Sequence, residues 1–286
     1  MLLMRIIMIL WQGLCYLPTS LHTPLGKLLG RFLLIIAKDR KKIARANISL
    51  CLPNLSANDQ KKILQRNFMF LGKSVIETGV AWFWSDKKIK KLIDYEIFGL
   101  DLLSNENSSR GNLIIFKHSQ HLELDARLLA INAEIYGVSR SHNSGSINKI
   151  QNEGRLSSMK GTADKNNPRQ FMKWLKDGKN VLYAVDQDYG WDHSVKLKFF
   201  DQEAATITTP RKIIDITGSN IIFMNSYYEK NKIVIKLETI NPIGLDDKEL
   251  AQKINNLMEE KILQHPAEYL WAHRRFKYTL GKSFYK

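Results

Sequence analysis

The spacing of hydrophobic residues changes near residue 100. Before that point apolar positions recur every three or four residues, as in the segment 63–76, and this spacing predicts an amphipathic helix. Ser56, with Asp59 three residues later, forms a capping-box pattern ahead of that segment. We therefore expect helices to dominate the first hundred residues.

After residue 100, short runs rich in β-branched residues alternate with helical segments. The predicted strands are NLIIF at 112–116, NVLYAV at 180–185, NIIFM at 220–224 and KIVIKLE at 232–238. The segment PRQFMKWLKDG places Gly178 at a helix C-cap, and Asp246 with Glu249 is spaced to cap a last helix. Strands that alternate with helices indicate the α/β class.

The amino-terminal segment differs from the rest of the chain. Its first 18 residues, MLLMRIIMILWQGLCYLP, are apolar except for Arg5 and Gln12, which at ~1.5 Å per residue is about the length of a bilayer core. Residues 27–45 then carry seven basic side chains against one acidic, a net charge of +6, so we expect them to face the cytoplasm and anionic headgroups. There are two alternatives. One is a cleaved signal peptide, and the other is a buried first helix followed by a solvated basic face.

These features divide the chain in two. Residues 1–45 are predicted to be a membrane anchor with a basic juxtamembrane segment. Residues 46–286 are predicted to be one catalytic domain, because no internal repeat, Pro-rich linker or low-complexity tract interrupts them.

Composition narrows the choice of partners. The 286 residues include 43 Lys and Arg against 28 Asp and Glu, a net charge of +15, so the surface should attract nucleic acid, an anionic membrane or an acidic carrier protein. No zinc-finger spacing, helix-turn-helix pattern or RNA-binding motif is present, which argues against nucleic acid. Two cysteines provide no disulfide framework and indicate a reducing compartment.

The segment HSQHLELD, residues 118–125, places two histidines and two carboxylates directly after the predicted strand NLIIF. Open α/β sheets bind ligands at this carboxyl edge. His118 and Glu123 can meet if His118 lies in the turn before a helix and Glu123 in its first turns. The imidazole could then accept a proton from an alcohol while the carboxylate fixes its tautomer.

Other interpretations of this segment remain open at this point. His118, His121 and Asp125 could be metal ligands on one helical face, although this spacing is weak evidence. His121 and Asp125 could form a surface pair four residues apart. His118 and Glu123 could also simply cap a helix.

Longer motifs favour the catalytic interpretation. They are GNLIIFKHSQHLE at 111–123, NEGRLSS at 152–158, NVLYAVDQDYG at 180–190, FFDQEAATITTP at 199–210, EYLWAHRRFK at 268–277 and NISLCLPNLS at 47–56. The His-x4-acid pattern resembles that of the glycerolipid acyltransferases. The full set resembles the lipid A biosynthesis acyltransferases, the late lauroyl and myristoyl transferases of lipopolysaccharide assembly.

This resemblance implies a fold and a reaction. The fold would be a glycerolipid-acyltransferase-like mixed sheet flanked by helices, with an N-terminal membrane-anchoring helix. The donor would be a fatty acyl thioester on acyl carrier protein, and the acceptor the 3-hydroxyl of an acyl chain on a Kdo-bearing lipid A precursor, which gives an acyloxyacyl ester. The enzyme would need no metal or organic cofactor and would act on the cytoplasmic face of the bacterial inner membrane.

The resemblance also assigns residues. His118 would be the general base, Glu123 would orient it, and Arg155 would bind the oxyanion. Asp186 would position Arg155 or a sugar hydroxyl, whereas Asp188 would bind substrate or cap the following turn. The candidate contacts to substrate anions near the carboxyl end are His273, Arg274, Arg275 and Lys277.

The chain departs from the family pattern in two respects. Ser119, Gln120 and His121 are more polar than the residues that usually follow the motif histidine. No F-P-E-G-type phosphate motif is present, so a glycerolipid or lysophospholipid acyltransferase is a weaker interpretation than a lipid A acyltransferase. A metal-dependent membrane hydrolase is a second, less favoured alternative.

Overall fold

The computed structural model describes residues 2–104, 110–139 and 145–286, so Met1 of the predicted anchor lies outside it. The α-helices are α1 (Leu2–Cys15), α2 (Thr19–Ile36), α3 (Lys38–Cys51), α4 (Ala57–Phe83), α5 (Asp86–Leu92), α6 (Leu122–Ala130), α7 (Gly145–Leu156), α8 (Pro168–Lys176), α9 (Thr209–Thr217), α10 (Asp247–Gln264) and α11 (Lys277–Leu280). The strands are β1 (Tyr95–Phe98), β2 (Asn112–Phe116), β3 (Ile135–Ser139), β4 (Gly161–Asp164), β5 (Asn180–Ala184), β6 (Ser194–Phe199), β7 (Gln202–Ile207), β8 (Asn220–Glu229) and β9 (Lys232–Thr239).

Within the described residues, seven strands form one sheet in the order β1-β9-β8-β2-β5-β3-β4. Strands β2, β3, β4, β5 and β8 are parallel to one another, whereas β9 pairs with β8 in the antiparallel direction and β1 is parallel to β9. The remaining two strands, β6 and β7, form a separate antiparallel hairpin. The α/β class and the mixed sheet are therefore confirmed.

The central strand β2 is buried along its whole length, and its side chains alternate between two cores. Leu113 and Ile115 pack in one core with residues of α3, α9 and α10. Ile114 and Phe116 pack in the other, with residues of α6 and the second half of α4. Helices thus cover both faces of the sheet, as a predominantly parallel sheet requires.

The predicted helix ends are confirmed by hydrogen bonds. The Ser56 hydroxyl accepts the backbone N–H of Asp59 at 3.1 Å at the start of α4. Asp246 and Glu249 form a reciprocal capping box on α10. Gly178 follows α8 with a left-handed φ of 78°, a conformation that glycine adopts without a Cβ clash.

The apolar amino-terminal segment does not form a membrane-spanning helix. It folds into α1, which has 14 residues, whereas a bilayer core requires about 20 apolar residues. In the part of the chain that the structure describes, no helix is both long enough and apolar enough to cross a membrane. The transmembrane helix predicted within residues 1–45 is therefore not supported, and the domain boundary at residue 45 stays a prediction.

Helices α1 and α2 pack on α4. Trp11 Nε1 donates to the carbonyl of Val75 at 2.7 Å. Where α2 crosses α4 the backbones are in contact: a Cβ on Gly30 would lie 2.2 Å from the Phe68 carbonyl oxygen, and one on Gly72 equally close to that of Gly26. Only glycine fits these positions, so Gly30 and Gly72 determine where α2 crosses α4.

Candidate active site

A row of asparagines aligns the three central strands. Asn112 of β2 lies opposite Asn180 of β5 and Asn220 of β8. Asn112 Nδ2 donates to Asn180 Oδ1 at 2.7 Å, and Asn220 Nδ2 donates to Asn112 Oδ1 at 3.0 Å. Because the register is fixed, residues six positions after each asparagine reach the same carboxyl edge of the sheet. These residues are His118, Asp186 and Ser226.

His118 is held by the carboxylate of Asp186. Its Nδ1 lies 2.5 Å from Asp186 Oδ1, and its backbone N–H donates to Asp186 Oδ2 at 2.9 Å. Burial alone would raise the pKa of Asp186, but the neighbouring His118 and its hydrogen bonds outweigh burial and lower the pKa to about 2. Asp186 is therefore ionised at neutral pH and holds the imidazole with Nδ1 as the donor.

The other ring nitrogen of His118, Nε2, is the one that can accept a proton in this tautomer. Nε2 then carries a lone pair, and the side-chain amide of Gln187 donates to it at 3.2 Å. The His118 side chain is 18% exposed, while that of Asp186 is only 1% exposed. A buried carboxylate behind an accessible imidazole is the arrangement of a general base.

Glu123 contacts a different group from the predicted one. Its Oε2 accepts hydrogen bonds from Trp82 Nε1 at 2.9 Å and from Arg155 Nε at 3.1 Å, and its Oε1 pairs with Arg155 Nη2. Burial would raise the pKa of Glu123, but Arg155, with smaller contributions from Trp82 and His118, lowers it. The predicted geometry is thus corrected: Asp186 orients His118, and Glu123 orients Arg155.

This correction has a clear structural reason. Glu123 is the second residue of α6, and its side chain points toward α4 and α7, which carry Trp82 and Arg155. Asp186 follows β5, whose strand lies beside β2. Equal spacing from Asn112 to His118 and from Asn180 to Asp186 is the sequence signal that could have identified this pair. The sequence offered no such signal for Gln187 or Trp82.

Asp188 caps a turn. Its Oδ1 accepts the backbone N–H of Gly190 at 3.0 Å, and its Oδ2 accepts that of Tyr278 at 3.0 Å. Its own N–H donates to Nε2 of His273 at 3.2 Å. Burial lowers the pKa of His273 to about 4, so this ring is neutral and accepts the bond. The capping interpretation of Asp188 is confirmed, and these bonds join the carboxyl-terminal segment to the loop after β5.

The two arginines of the carboxyl-terminal motif have different environments. Arg275 is buried, and it donates to the Ala205 carbonyl at 2.6 Å and to the Thr206 hydroxyl at 2.9 Å. Its predicted contact with substrate anions is therefore wrong, because its guanidinium holds β7 against the carboxyl-terminal segment. Arg274 lies at the surface, so an anion contact there stays a prediction.

His121 and Asp125 do not form the predicted surface pair. Both side chains are fully buried, and His121 Nδ1 lies 2.7 Å from Asp125 Oδ1 while its Nε2 lies 3.0 Å from Glu268 Oε2. The hydroxyls of Ser119 and Ser226 donate to Asp125 Oδ2 at 2.7 and 2.6 Å. These five residues, here called the buried network, link α6, β8 and the 3-10 turn Pro266–Glu268.

The buried network contains a charged histidine. Burial alone would lower the pKa of His121, but Asp125 and Glu268 outweigh it and raise the pKa to about 9. Lys117 is also buried and donates to the Ser226 carbonyl at 2.8 Å. The residues considered as metal ligands therefore do not share one site. His118 contacts Asp186, whereas His121 contacts Asp125 and Glu268. Among the described residues, no group of three or more His, Cys, Asp or Glu side chains is arranged to hold a metal ion.

The chain is similar in sequence to known proteins along nearly its whole length. Residues 2–278 match the family model of the bacterial lipid A biosynthesis acyltransferases. The chain is 34% identical over 277 residues to the lipid A biosynthesis lauroyltransferase of Escherichia coli (strain K12), and 32% identical over 275 residues to the palmitoleoyltransferase of that strain. Each alignment covers 94% of this chain and 89% of the relative.

A solved structure is also similar. The 1-acyl-sn-glycerophosphate acyltransferase of Thermotoga maritima aligns with a TM-score of 0.41 at 13% identity, over 87% of this chain and 98% of that one. The match to the family model over nearly the whole chain, together with relatives above 30% identity, establishes the assignment. This chain belongs to the bacterial lipid A biosynthesis acyltransferases.

Proposed function

We propose that this acyltransferase moves a fatty acyl chain from acyl carrier protein to the 3-hydroxyl of an acyl chain on a lipid A precursor. The observation that carries the proposal is the His118–Asp186 pair, in which the imidazole is partly exposed and the carboxylate is buried. The acceptor of such a reaction is an alcohol, and a neutral imidazole with an ionised partner is suited to remove its proton.

The proposed reaction proceeds in two steps. Nε2 of His118 accepts the hydroxyl proton as the hydroxyl oxygen bonds to the thioester carbonyl carbon. The tetrahedral intermediate then expels the carrier thiolate, which takes the proton from Nε2. An ester and a free thiol result, and His118 returns to its neutral form. Asp186 stabilises the imidazolium that exists between the two steps.

Arg155 is our candidate for stabilising the oxyanion. Its Nε and Nη2 are occupied by Glu123, whereas its Nη1 has no hydrogen-bond partner among the described residues. The bidentate pair with Glu123 fixes the plane of the guanidinium, so Nη1 can be held ready for a developing negative charge. Glu123 is thus proposed as a positioning residue for Arg155.

The acyl carrier protein is proposed as donor because of the charge near the site. Exposed basic residues of α3 lie beside the carboxyl-terminal segment, where Arg40 Nη1 donates to the Ala272 carbonyl at 3.2 Å. The adjacent His273 contacts Asp188 in the loop that follows β5 and contains Asp186. A net charge of +15 would also speed the encounter with an acidic carrier, and added salt would slow it.

We further propose that α1 and α2 attach the enzyme to the cytoplasmic surface of the inner membrane. Their exposed apolar side chains are Ile6, Ile7, Ile9, Leu10, Leu21, Leu28, Phe32, Ile35 and Ile36. At ~100° per residue, Leu21, Leu28 and Phe32 fall within an arc of about 40° on α2. At the same ~100° per residue, Arg31 and Lys27 lie about 60° and 100° to one side of that arc, so basic side chains border the apolar face as on a helix lying at an anionic lipid surface.

The proposal is tested with a His118→Asn variant. The asparagine amide can still donate to Asp186, so the fold should be retained, but the base is lost and acyl transfer should fall about 10²–10⁴-fold. Transfer is measured by mass spectrometry of a lipid A precursor incubated with acyl-acyl carrier protein. A lysophospholipid acceptor is run in parallel.

Three results would contradict the proposal. Normal activity of His118→Asn would remove His118 from the reaction. Transfer to the lysophospholipid alone would assign the enzyme a glycerolipid acceptor. Use of acyl-coenzyme A but not acyl-acyl carrier protein would replace the proposed donor.

A further inference from the structure

A basic cavity of about 330 Å³ lies between α2, α4 and the turn that joins β8 to β9. Its volume is within the range of roughly 300–1,000 Å³ typical of ligand sites. The lining residues include no carboxylate. The basic ones are Lys27, Arg66, Lys73 and Lys230.

The helix positions explain why these side chains meet. Arg66, Phe70 and Lys73 are spaced four and three residues apart, so they share one face of α4. Lys27 lies on α2, which the glycine contacts hold directly against this helix. Lys230 lies at the tip of the β8–β9 hairpin, between the paired residues Glu229 and Lys232.

The positive charge of the cavity is mostly uncompensated. Lys73 Nζ lies 3.2 Å from Glu77 Oε1 and 3.4 Å from the centre of the Tyr228 ring. Lys27, Arg66 and Lys230 have no carboxylate at ion-pair distance within the described ranges. Several like charges around one cavity repel one another, and an anion bound between them would relieve that repulsion.

The surroundings indicate which kind of anion. Lys27 is followed by Leu28 of the exposed apolar arc, which points about 100° around α2 from it, and Met69 contributes an apolar side chain to the cavity itself. Phe70 and Tyr228 add aromatic surface, and Thr23 and Asn231 add uncharged polar groups. Lysine and arginine next to apolar and aromatic groups are the features of a lipid headgroup site.

We infer that this cavity binds the phosphate of an anionic lipid. Tyr228 lines the cavity, and its ring packs edge-on against His121 of the buried network with centroids 5.0 Å apart. Two lipids carry the required chemistry: a phospholipid of the bilayer, and the phosphorylated acceptor itself. The inference does not depend on acyl transfer, because binding can be measured without turnover.

The binding experiment compares the full chain with three double variants. Lys27→Glu with Arg66→Glu reverses two charges of the cavity. Lys173→Glu with Lys176→Glu makes the same change in net charge on exposed positions of α8. Leu28→Asp with Phe32→Asp disrupts the apolar arc. Each protein is sedimented with vesicles of phosphatidylcholine, with or without phosphatidylglycerol, after circular dichroism has verified folding.

The cavity variant should lose the preference for phosphatidylglycerol by about tenfold or more, given ~1 kcal/mol per basic residue near an anionic surface. The α8 variant should lose at most about threefold, and the apolar variant should bind both vesicle types weakly. Equal binding of phosphatidylglycerol vesicles by the cavity variant and the α8 variant removes the bilayer lipid as ligand.

A kinetic experiment in detergent distinguishes the two lipids. If the cavity takes the acceptor phosphate, the cavity variant raises the KM for the precursor with little change in kcat, and a dephosphorylated precursor shows no such difference. If it takes a bilayer phospholipid, KM is unchanged while the vesicle preference is lost. Unchanged KM together with unchanged vesicle preference overturns the inference.

Discussion

Two histidines three residues apart have opposite environments. His118 has one carboxylate partner, Asp186, and its side chain is 18% exposed. His121 has a carboxylate on each ring nitrogen and is fully buried. Both are histidine–carboxylate pairs at the same strand-to-helix junction. The difference lies in the partner of Nε2, which is the neutral amide of Gln187 for His118 and a second carboxylate, Glu268, for His121.

This contrast indicates which histidine is suited to proton transfer and which to a structural role. A histidine bonded by carboxylates on both sides is held in its charged form, and it has no lone pair with which to accept another proton. A histidine with one carboxylate keeps a basic nitrogen and a fixed tautomer. We therefore expect changes around His118 to affect turnover and changes around His121 to affect stability.

Asp186→Asn should have the largest effect on turnover among changes that spare His118 itself. The amide cannot compensate the imidazolium charge and can hold the ring in the wrong tautomer, so kcat should fall about 10²–10⁴-fold. The measurement is steady-state acyl transfer. Glu123→Gln serves as the matched carboxylate-to-amide control. A greater loss for Glu123→Gln than for Asp186→Asn would restore Glu123 as the partner of His118.

His121→Ala should destabilise the fold by about 3–5 kcal/mol, because removing one partner leaves buried carboxylates without their cation. Urea unfolding monitored by fluorescence gives the free energy of unfolding. His118→Asn, which keeps the hydrogen bond to Asp186, should change that free energy much less. Equal destabilisation by the two variants would contradict the assigned structural role of His121.

Raising the pH should produce a smaller, graded loss of stability through His121. Its pKa is raised to about 9 in the fold and is ~6.5 in the unfolded chain. Its stabilising contribution is therefore complete below pH ~6.5 and is lost as the pH rises through about 9. Unfolding free energies of wild type and His121→Ala are compared from pH 6 to pH 10, since the difference isolates His121 from other groups such as Lys117. A constant difference would contradict a charged His121.

Much of the fold was predictable from local patterns. The strand NLIIF, the helix caps at Ser56 and Asp246 and the left-handed Gly178 depend on spacing and on backbone conformation within a few residues. A membrane-spanning segment was predicted from apolar content, which does not distinguish a helix that packs on other helices from one that crosses a bilayer, and no described helix is long and apolar enough to cross. That distinction depends on contacts such as the one between Trp11 and Val75.

The site was predictable in position but not in its pairings. The strand pattern placed His118, Glu123 and Asp186 at carboxyl ends of strands, and family resemblance added Arg155 to the same site. It paired His118 with the nearest carboxylate in the chain, whereas the fold pairs it with Asp186, 68 residues away. Proximity along the chain favoured Glu123, but strand register decides which groups face one another.

The sequence by itself determined the fold class, the caps and the histidine motif, since these follow from residue spacing and short-range hydrogen bonding. Tertiary structure alone decided three things: which carboxylate holds His118, that His121 and Arg275 are buried, and that basic residues from α2, α4 and the β8–β9 turn surround one cavity. Each depends on contacts between segments far apart in the chain. Burial and charge at those contacts determine the pKa values of Asp186 and His121. They also determine the tautomer of His118, on which the proposed catalysis depends.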